Sequence, residues 1–320
     1  RFDWESCRLL VLSGAGSDGF RLNPEAGWSD LVKNIDNKQG MKPWEQLLVM
    51  YPGLVVPIQE SWNDPLSIRK IYMITPTKTR AEQIADLTRL AQTLYLIPNL
   101  FWIIVEDESQ RTGRLHRLLQ SFNLPFIHLN IATPDYLKPT KNQSTWRRPR
   151  GMHQKNIALQ WIRENTNTND DALVYFADDD NSYHWKLFQE IRKVQLVGVW
   201  PVGLVGELLY ERPICLNGKV YSWFHYIYRK RKFPTDMAGF AIHLGLVHKH
   251  SNYLFNVSAN SVGEQESNIL DAMTSMNQLE CLANNASKIY VWHTKTQSMF
   301  LTTTEKLRNA GMKYDLISEL

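Results

Sequence analysis

From Ile71 onward the chain alternates short apolar runs with segments of helical spacing, and that alternation leaves few folds open to it. IYMITPT (71–77), FWIIVED (101–107), PFIHLNI (125–131) and ALVYFADDD (172–180) are apolar and rich in β-branched and aromatic residues, so each reads as a buried strand. Between the first two, residues 79–94 place Ile84, Leu87, Leu90, Ala91 and Leu94 on one side of a helix that Pro98 ends. RLHRLLQSF and HQKNIALQWIREN read as two further helices. Strand–helix–strand alternation predicts a mainly parallel sheet with helices on both faces.

Two of these strands deliver acids to one edge: Asp107 after the second, and Asp178, Asp179 and Asp180 after the fourth. Adjacent like charges at the end of a buried strand call for a neutralising partner, and open α/β sheets bind ligands outside the carboxyl ends of their strands. Hard carboxylate oxygens suit Mg²⁺ or Mn²⁺, ions that sit between one or two carboxylates and the phosphates of a substrate. Taken alone, the triplet has a second reading of equal weight. Asp180, Asn181 and Ser182 precede the helical-looking YHWKLFQEIRKV and would serve as a capping cluster. The GxGxxG spacing of Gly14, Gly16 and Gly19 lies in the irregular first segment, outside the strand–helix alternation, and no Walker sequence is present, so dinucleotide and P-loop readings are weak.

Past Val205 strand-like segments mix with FPTDMAG, whose Pro and Gly mark a sharp turn beside Asp236. Glu264 and Glu266 open a helical run, where acids stabilise the helix dipole whatever else they do. KIYVWHTKT is a late strand ending in His293 and Lys295, which are suited to a diphosphate, though a structural histidine fits the position equally. The net charge of +4 over 320 residues is too small to argue for nucleic acid. The basic clusters Arg147–Arg150 and Tyr228–Lys232 are either solvated surface or a site for an acidic substrate. None of the three cysteines, Cys7, Cys215 and Cys281, lies in a CxxC pair, which disfavours zinc, and the odd count leaves one thiol without a partner in the chain. Asn142, Asn256 and Asn285 open N-glycosylation sequons, which matter only in the secretory pathway. No apolar stretch approaches the ~20 residues that span a bilayer. The first residue is Arg, so a leader or anchor is expected to lie outside this chain.

In order, IYMITPT, VEDE, PRGMHQKN, VYFADDDNSY, VWPVGLVG, FPTDMAGFA, QES and VWHTKT resemble the β1,3-glucuronosyltransferases of the Golgi, from about Ile71 to Thr296. That family includes the enzyme that completes the proteoglycan linker and those that make the sulfoglucuronyl epitope. The resemblance implies a GT-A fold, Mn²⁺, UDP-glucuronate as donor and an inverting single displacement by the 3-hydroxyl of a terminal β-galactose. Galβ1-3Gal-Xyl of the proteoglycan linker is the favoured acceptor and Galβ1-4GlcNAc the alternative. Residue by residue, it implies Asp180 as direct metal ligand and Asp178 and Asp179 on the uridine portion. It puts Pro76, Asp107 and Arg150 near uracil, Lys155 at the sugar, and His293 and Lys295 on the diphosphate. Glu266 is the implied general base, with Glu211, Arg231 and Asp236 on the acceptor, Asn181 beside them and Tyr228 near an aromatic platform.

Residues 1–70, irregular and outside the resemblance, read as a stem or peripheral segment; the resemblance implies a donor half over 71–182 and an acceptor-binding and catalytic half over 183–300, and 301–320 is left as a C-terminal tail. A homodimer follows from the resemblance too, as does a type II Golgi membrane protein with a lumenal catalytic domain and no nucleic-acid partner. Three positions depart from the family pattern. Lys78 stands where a Tyr is expected near uracil, Lys155 where an Arg reaches the sugar, and Val262 where an Arg lies four residues before the base. Lys keeps the charge of Arg without its bidentate fork. The departures keep two alternatives in view: a transferase of the same fold with another UDP-sugar, and a non-catalytic glycan-binding module.

Overall fold

The computed structural model describes residues 10–11, 55–56, 68–138, 151–226, 231–257, 264–297, 306 and 309. The chain divides into units of 1–67 and 68–320. In the first, Leu10–Val11 pairs antiparallel with Val55–Val56, and most of the expected stem lies outside the described residues, as does most of the tail over 301–320. Everything below concerns the second unit.

Its first part is the alternation expected from the sequence. Strands β1 (Lys70–Thr77), β2 (Leu100–Glu106), β3 (Phe126–Asn130) and β4 (Ala172–Phe176) alternate with helices α1 (Gln83–Leu94), α2 (Gly113–Ser121) and α3 (Met152–Asn165). All four strands are parallel, in the order β3-β2-β1-β4. Right-handed crossovers then put α1 and α2 on one face, and the return from β3 to β4 puts α3 on the other. Burial agrees. Tyr72, Ile74, Ile103, Val105, Val174 and Phe176 share one core cluster with Ala158, Leu159 and Ile162 of α3. The alternate residues Ile71, Met73, Trp102 and Ile104 are buried apart from that cluster, and Trp102 stacks on Phe122 just past α2. Strands covered on both faces have no polar side to alternate, which is why they read as continuous apolar runs.

The connection order reverses at β1, which β2 and β4 flank, so a crevice opens over the carboxyl ends of β1 and β4. Thr77 and the aspartate triplet lie there. Beyond β4 the sheet becomes mixed. The later elements are β5 (Ser182–Tyr183), α4 (Lys186–Ile191), β6 (Val197–Val199), β7 (Val202–Gly203), β8 (Tyr210–Leu216), β9 (Lys219–Phe224), β10 (Phe240–His243), α5 (Leu244–Lys249), α6 (Glu264–Met273), β11 (Glu280–Cys281) and β12 (Val291–Trp292). β10 runs antiparallel to both β4 and β6, and the order continues β6-β11-β9-β8-β7-β12-β5.

Two local expectations change. The helix expected from residue 79 begins at Gln83, because residues 78–82 form a turn from which Arg80 reaches two buried carboxylates. The helical-looking 183–194 shortens to Lys186–Ile191, because Ser182 and Tyr183 are taken as a strand opposite Trp292 and Val291. FPTDMAG is the expected sharp turn: Asp236 Oδ1 accepts from Ala238 N at 2.9 Å and caps the single turn Met237–Gly239.

Cys215 of β8 and Cys281 of β11 form a disulfide, 66 residues apart, that spans β9. The pairing had been open, and Cys7 lies outside the described residues. Closing a loop of that length stabilises by at most about 4 kcal/mol in the chain-entropy account. Replacing Cys281 with Ser is therefore expected to cost about 2–4 kcal/mol, read as a lower denaturation midpoint, and reducing agent should lower the wild-type midpoint to match.

Candidate active site

The structure treats the three aspartates differently. Asp179 is buried, and its charge is met within the chain. Its Oδ2 accepts from Thr77 Oγ1 at 2.6 Å and from Arg80 Nη1 at 2.8 Å, and its Oδ1 accepts from Arg80 Nη2 at 2.9 Å. This is the bidentate fork that arginine is shaped for. Asp178 is half-buried, and its carbonyl accepts from the Tyr183 hydroxyl at 2.9 Å. Asp180 has no such partner. Burial, together with repulsion from Asp178 and Asp179, pushes its carboxyl up to about 6 against the opposing pull of Arg80 and His293. The triplet caps no helix, because Ser182 next to it enters β5.

A second set of groups closes over this edge from the antiparallel half. Asp236 Oδ2 lies 3.8 Å from His293 Nδ1 and also feels Asp178 and Glu211; burial and the two acids raise its carboxyl, and His293 opposes them. Glu211 is buried, pairs with Arg231 at 3.4 Å and accepts from Tyr226 N at 3.1 Å. Gly206, at φ +61°, leaves the room this needs, since a Cβ there would stand 2.6 Å from Glu211 Oε1. Glu266, in the first turn of α6, departs widely from the ordinary behaviour of a carboxyl. Burial first and the charge of Asp236 second push its carboxyl up to about 7, while Arg231 and Lys155 hold it down. Its Oε2 is buried without a hydrogen-bond partner. Lys155 is itself buried, one turn into α3, with Nζ 3.4 Å from where a Cβ on Gly151 would sit; that absent Cβ would also meet Pro76 at 3.1 Å. Both amide atoms of Asn181 are buried with no bond of hydrogen-bond geometry.

Of the residues singled out from the sequence, Asp178, Asp179, Asp180, Asn181, Lys155, Glu211, Arg231, Asp236, Glu266 and His293 thus meet in one electrostatic neighbourhood. Asp107 sits on the next strand edge. Its two oxygens accept from Thr133 N at 2.6 Å and Thr133 Oγ1 at 2.9 Å, and its own N–H donates to Thr77 O at 2.7 Å. Lys78 and Lys295 are exposed, as are Asn256 and Asn285. Arg150, Tyr228, Asn142 and Val262 lie outside the described residues.

Sequence reasoning missed Arg80, Asp86, Arg89 and Tyr253. The first three were absorbed into a helical segment read for its apolar face. Tyr253 carries a buried hydroxyl without a partner, and burial and the nearby Glu266 charge push its ionisation well up. No sequence signal marks it.

Among the described residues, no group of three or more His, Cys, Asp or Glu side chains is placed to hold a metal ion on protein ligands alone. The residues nonetheless fit a divalent cation completed by a ligand's phosphates. A half-buried Asp180 that desolvation and two neighbouring acids hold up to about 6 is the environment that such an ion relieves.

A parallel half whose switch-point crevice ends in carboxylates is joined to an antiparallel half that brings a glutamate with a buried carboxylate oxygen, and the protein built this way is a glycosyltransferase. The chain belongs to glycosyltransferase family 43, whose model matches residues 90–297. It is 42% identical over 248 residues to human galactosylgalactosylxylosylprotein 3-beta-glucuronosyltransferase 1, covering 77% of this chain and 74% of that one. Identity is 41% over 263 residues to the Caenorhabditis elegans galactosylgalactosylxylosylprotein 3-beta-glucuronosyltransferase sqv-8 (79% and 74% covered). It is 41% over 251 residues to the Drosophila melanogaster galactosylgalactosylxylosylprotein 3-beta-glucuronosyltransferase I (77% and 82% covered).

The raised Glu266 carboxyl has a cost that depends on pH. In the unfolded chain it ionises near 4.5, in the fold near 7. Below 4.5 both states keep the proton and nothing is lost. Between the two values the unfolded chain releases its proton first, so folding weakens, by up to roughly 3 kcal/mol above pH 7. Glu266→Gln is expected to be more stable than wild type at pH 8, with the gap shrinking towards pH 5. Denaturant midpoints at the two pH values measure it.

Proposed function

We propose that the chain transfers glucuronate from UDP-glucuronate to the 3-hydroxyl of a terminal β-galactose with inversion at the anomeric carbon. The observation that carries the reading is Glu266: a buried carboxylate with one oxygen unpartnered and an affinity for protons raised to about 7, where a general base works best. In the displacement Glu266 takes the proton of the acceptor hydroxyl, and the hydroxyl oxygen forms the new bond to the anomeric carbon. The bond from that carbon to UDP breaks on the opposite face, and its electron pair goes to the β-phosphate. His293 and Lys295 receive the charge that develops there, as preorganised cations do at a leaving group. Asp180 is the ligand proposed for Mn²⁺, which when bound would neutralise the diphosphate as a Lewis acid.

Donor recognition is assigned to Asp178, Asp179, Pro76, Asp107 and Arg150 at the uridine end. Lys155 is proposed for the sugar, where a buried ammonium suits the glucuronate carboxylate. Glu211, Arg231, Asp236, Asn181 and Tyr228 are proposed for the acceptor; the Asn181 amide carries both a donor and an acceptor for a sugar hydroxyl. The relatives' names specify a galactosylgalactosylxylosyl protein, which favours the proteoglycan linker over Galβ1-4GlcNAc termini. Work in the Golgi lumen as part of a type II membrane protein is supported by the Cys215–Cys281 disulfide, which belongs to an oxidising compartment. The exposed Asn256 and Asn285 sequons agree with it. Among the described residues no helix is long and apolar enough to cross a membrane. A homodimer is the oligomeric state proposed from the family.

One observation favours a second reading, transfer of another sugar from UDP: Lys155 brings a single point charge where a bidentate fork suits a carboxylate. A donor panel with Mn²⁺ and a Galβ1-3Gal acceptor separates the two. UDP release is expected from UDP-glucuronate and not from UDP-glucose or UDP-xylose, and equal rates would favour the second reading. Wild-type kcat/KM is expected to fall about tenfold per pH unit below about 7, as Glu266 takes up its proton. Glu266→Gln is expected to lose on the order of 10²–10⁴ in kcat while calorimetric affinity for UDP-glucuronate stays within about twofold. A variant at full rate removes Glu266 from the role of base.

A further inference from the structure

We propose that Asp86 is a positioning residue that fastens the segment carrying His293 and Lys295 to the nucleotide end of the donor site. This rests on the reading of His293 and Lys295 as diphosphate contacts and of Asp179 as a uridine contact. Asp86 is the fourth residue of α1 and almost completely buried. A carboxylate in that position is costly unless several donors meet it, and three do. Arg80 Nη2 donates to Oδ2 at 2.7 Å, Arg89 Nη2 to Oδ1 at 3.1 Å, and Thr296 Oγ1 to Oδ1 at 2.5 Å across 210 residues of chain.

Each donor belongs to a different part of the site. Arg80 spends the rest of its fork on Asp179. Arg89 reaches the Asp180 carbonyl at 3.0 Å and Thr296 Oγ1 at 3.2 Å. Thr296 lies just past Lys295 in a segment with no strand pairing after Trp292. That segment is held instead by His293 N to Gly203 O at 2.8 Å, by Thr294 Oγ1 to Asp180 O at 2.8 Å and by Thr296 to Asp86. One carboxylate therefore sets the Arg80 guanidinium that orients Asp179 and also anchors the far end of the segment that carries the diphosphate cations. A helix anchor alone would need neither arginine to continue into the aspartate triplet.

The test uses two variants and two readouts, with the thermal midpoint of each variant as a folding control. Thr296→Val removes the segment's bond to Asp86 and leaves the Arg80–Asp179 pair intact; Asp86→Asn loosens both. Binding of UDP and of uridine is measured with Mn²⁺, by calorimetry and by competition, and amide hydrogen exchange is followed without ligand. Thr296→Val is expected to weaken UDP on the order of tenfold, the loss of one charge-assisted bond. It should leave uridine unchanged and speed exchange in residues 293–297. Asp86→Asn is expected to weaken both ligands. Unchanged UDP affinity and exchange in Thr296→Val overturn the proposal, as does an equal loss for UDP and uridine. If wild type binds neither ligand, the donor reading fails by itself. Exchange then decides this inference: faster exchange confined to 293–297 supports it, and unchanged exchange overturns it.

Discussion

The Arg80–Asp179 pair is the interaction on which the site depends. The switch-point crevice gathers an unusual density of acid: three aspartates at the end of β4, with Asp236, Glu211 and Glu266 brought over them. Left alone, so many carboxylates in a partly dry space would protonate or push the strand ends apart. Arg80 neutralises the innermost one with two parallel hydrogen bonds and turns a third donor, on Nη2, to Asp86. That leaves the repulsion uncancelled at three places: Asp180 and Glu266, held up to about 6 and about 7, and Asp236, whose carboxyl is also raised.

The two halves of the sheet divide this labour for a geometric reason. Parallel strands all point their carboxyl ends the same way, so a reversal in their order opens a crevice with several loops converging on it, which suits an extended, charged nucleotide. Antiparallel strands carry side chains back towards that crevice from the opposite direction. β10 is the joint: it pairs with β4 on one side and β6 on the other, and the Asp236 turn leads directly into it. Further along the sheet the hairpin β8–β9, with Glu211 near its base, is fixed to β11 by the Cys215–Cys281 bond. A hairpin that holds a buried glutamate in place needs such a constraint, because short paired strands are marginal by themselves.

Most of the parallel half was legible from the residues, since strands buried on both faces must be apolar throughout and the helices between them must show a stripe. Three of the four strands moved by about a residue at their ends, and the fourth stops at Phe176, before the aspartates. The helix at Gln83 and the shortened α4 were misjudged for one shared reason. Arg80 in the first case, and Ser182 and Tyr183 in the second, are claimed by partners far along the chain, Asp179 and β12 respectively. Local spacing carries no record of such partners.

What the sequence determined alone was the list of chemical groups and the edge to which many of them are delivered: acids after strands, a glutamate opening a helix, a histidine and a lysine ending a late strand. The resemblance of whole segments supplied their roles, and the match to family 43 stands behind it. Only the tertiary structure decided how charge is shared among those groups. Asp178, Asp179 and Asp180 are the same residue three times over, yet Asp179 is clamped by an arginine, Asp178 is half-buried and the Asp180 carboxyl is raised without a side-chain partner. That difference is a matter of distance and burial, quantities that vary steeply over a few ångströms and that three adjacent identical letters cannot encode.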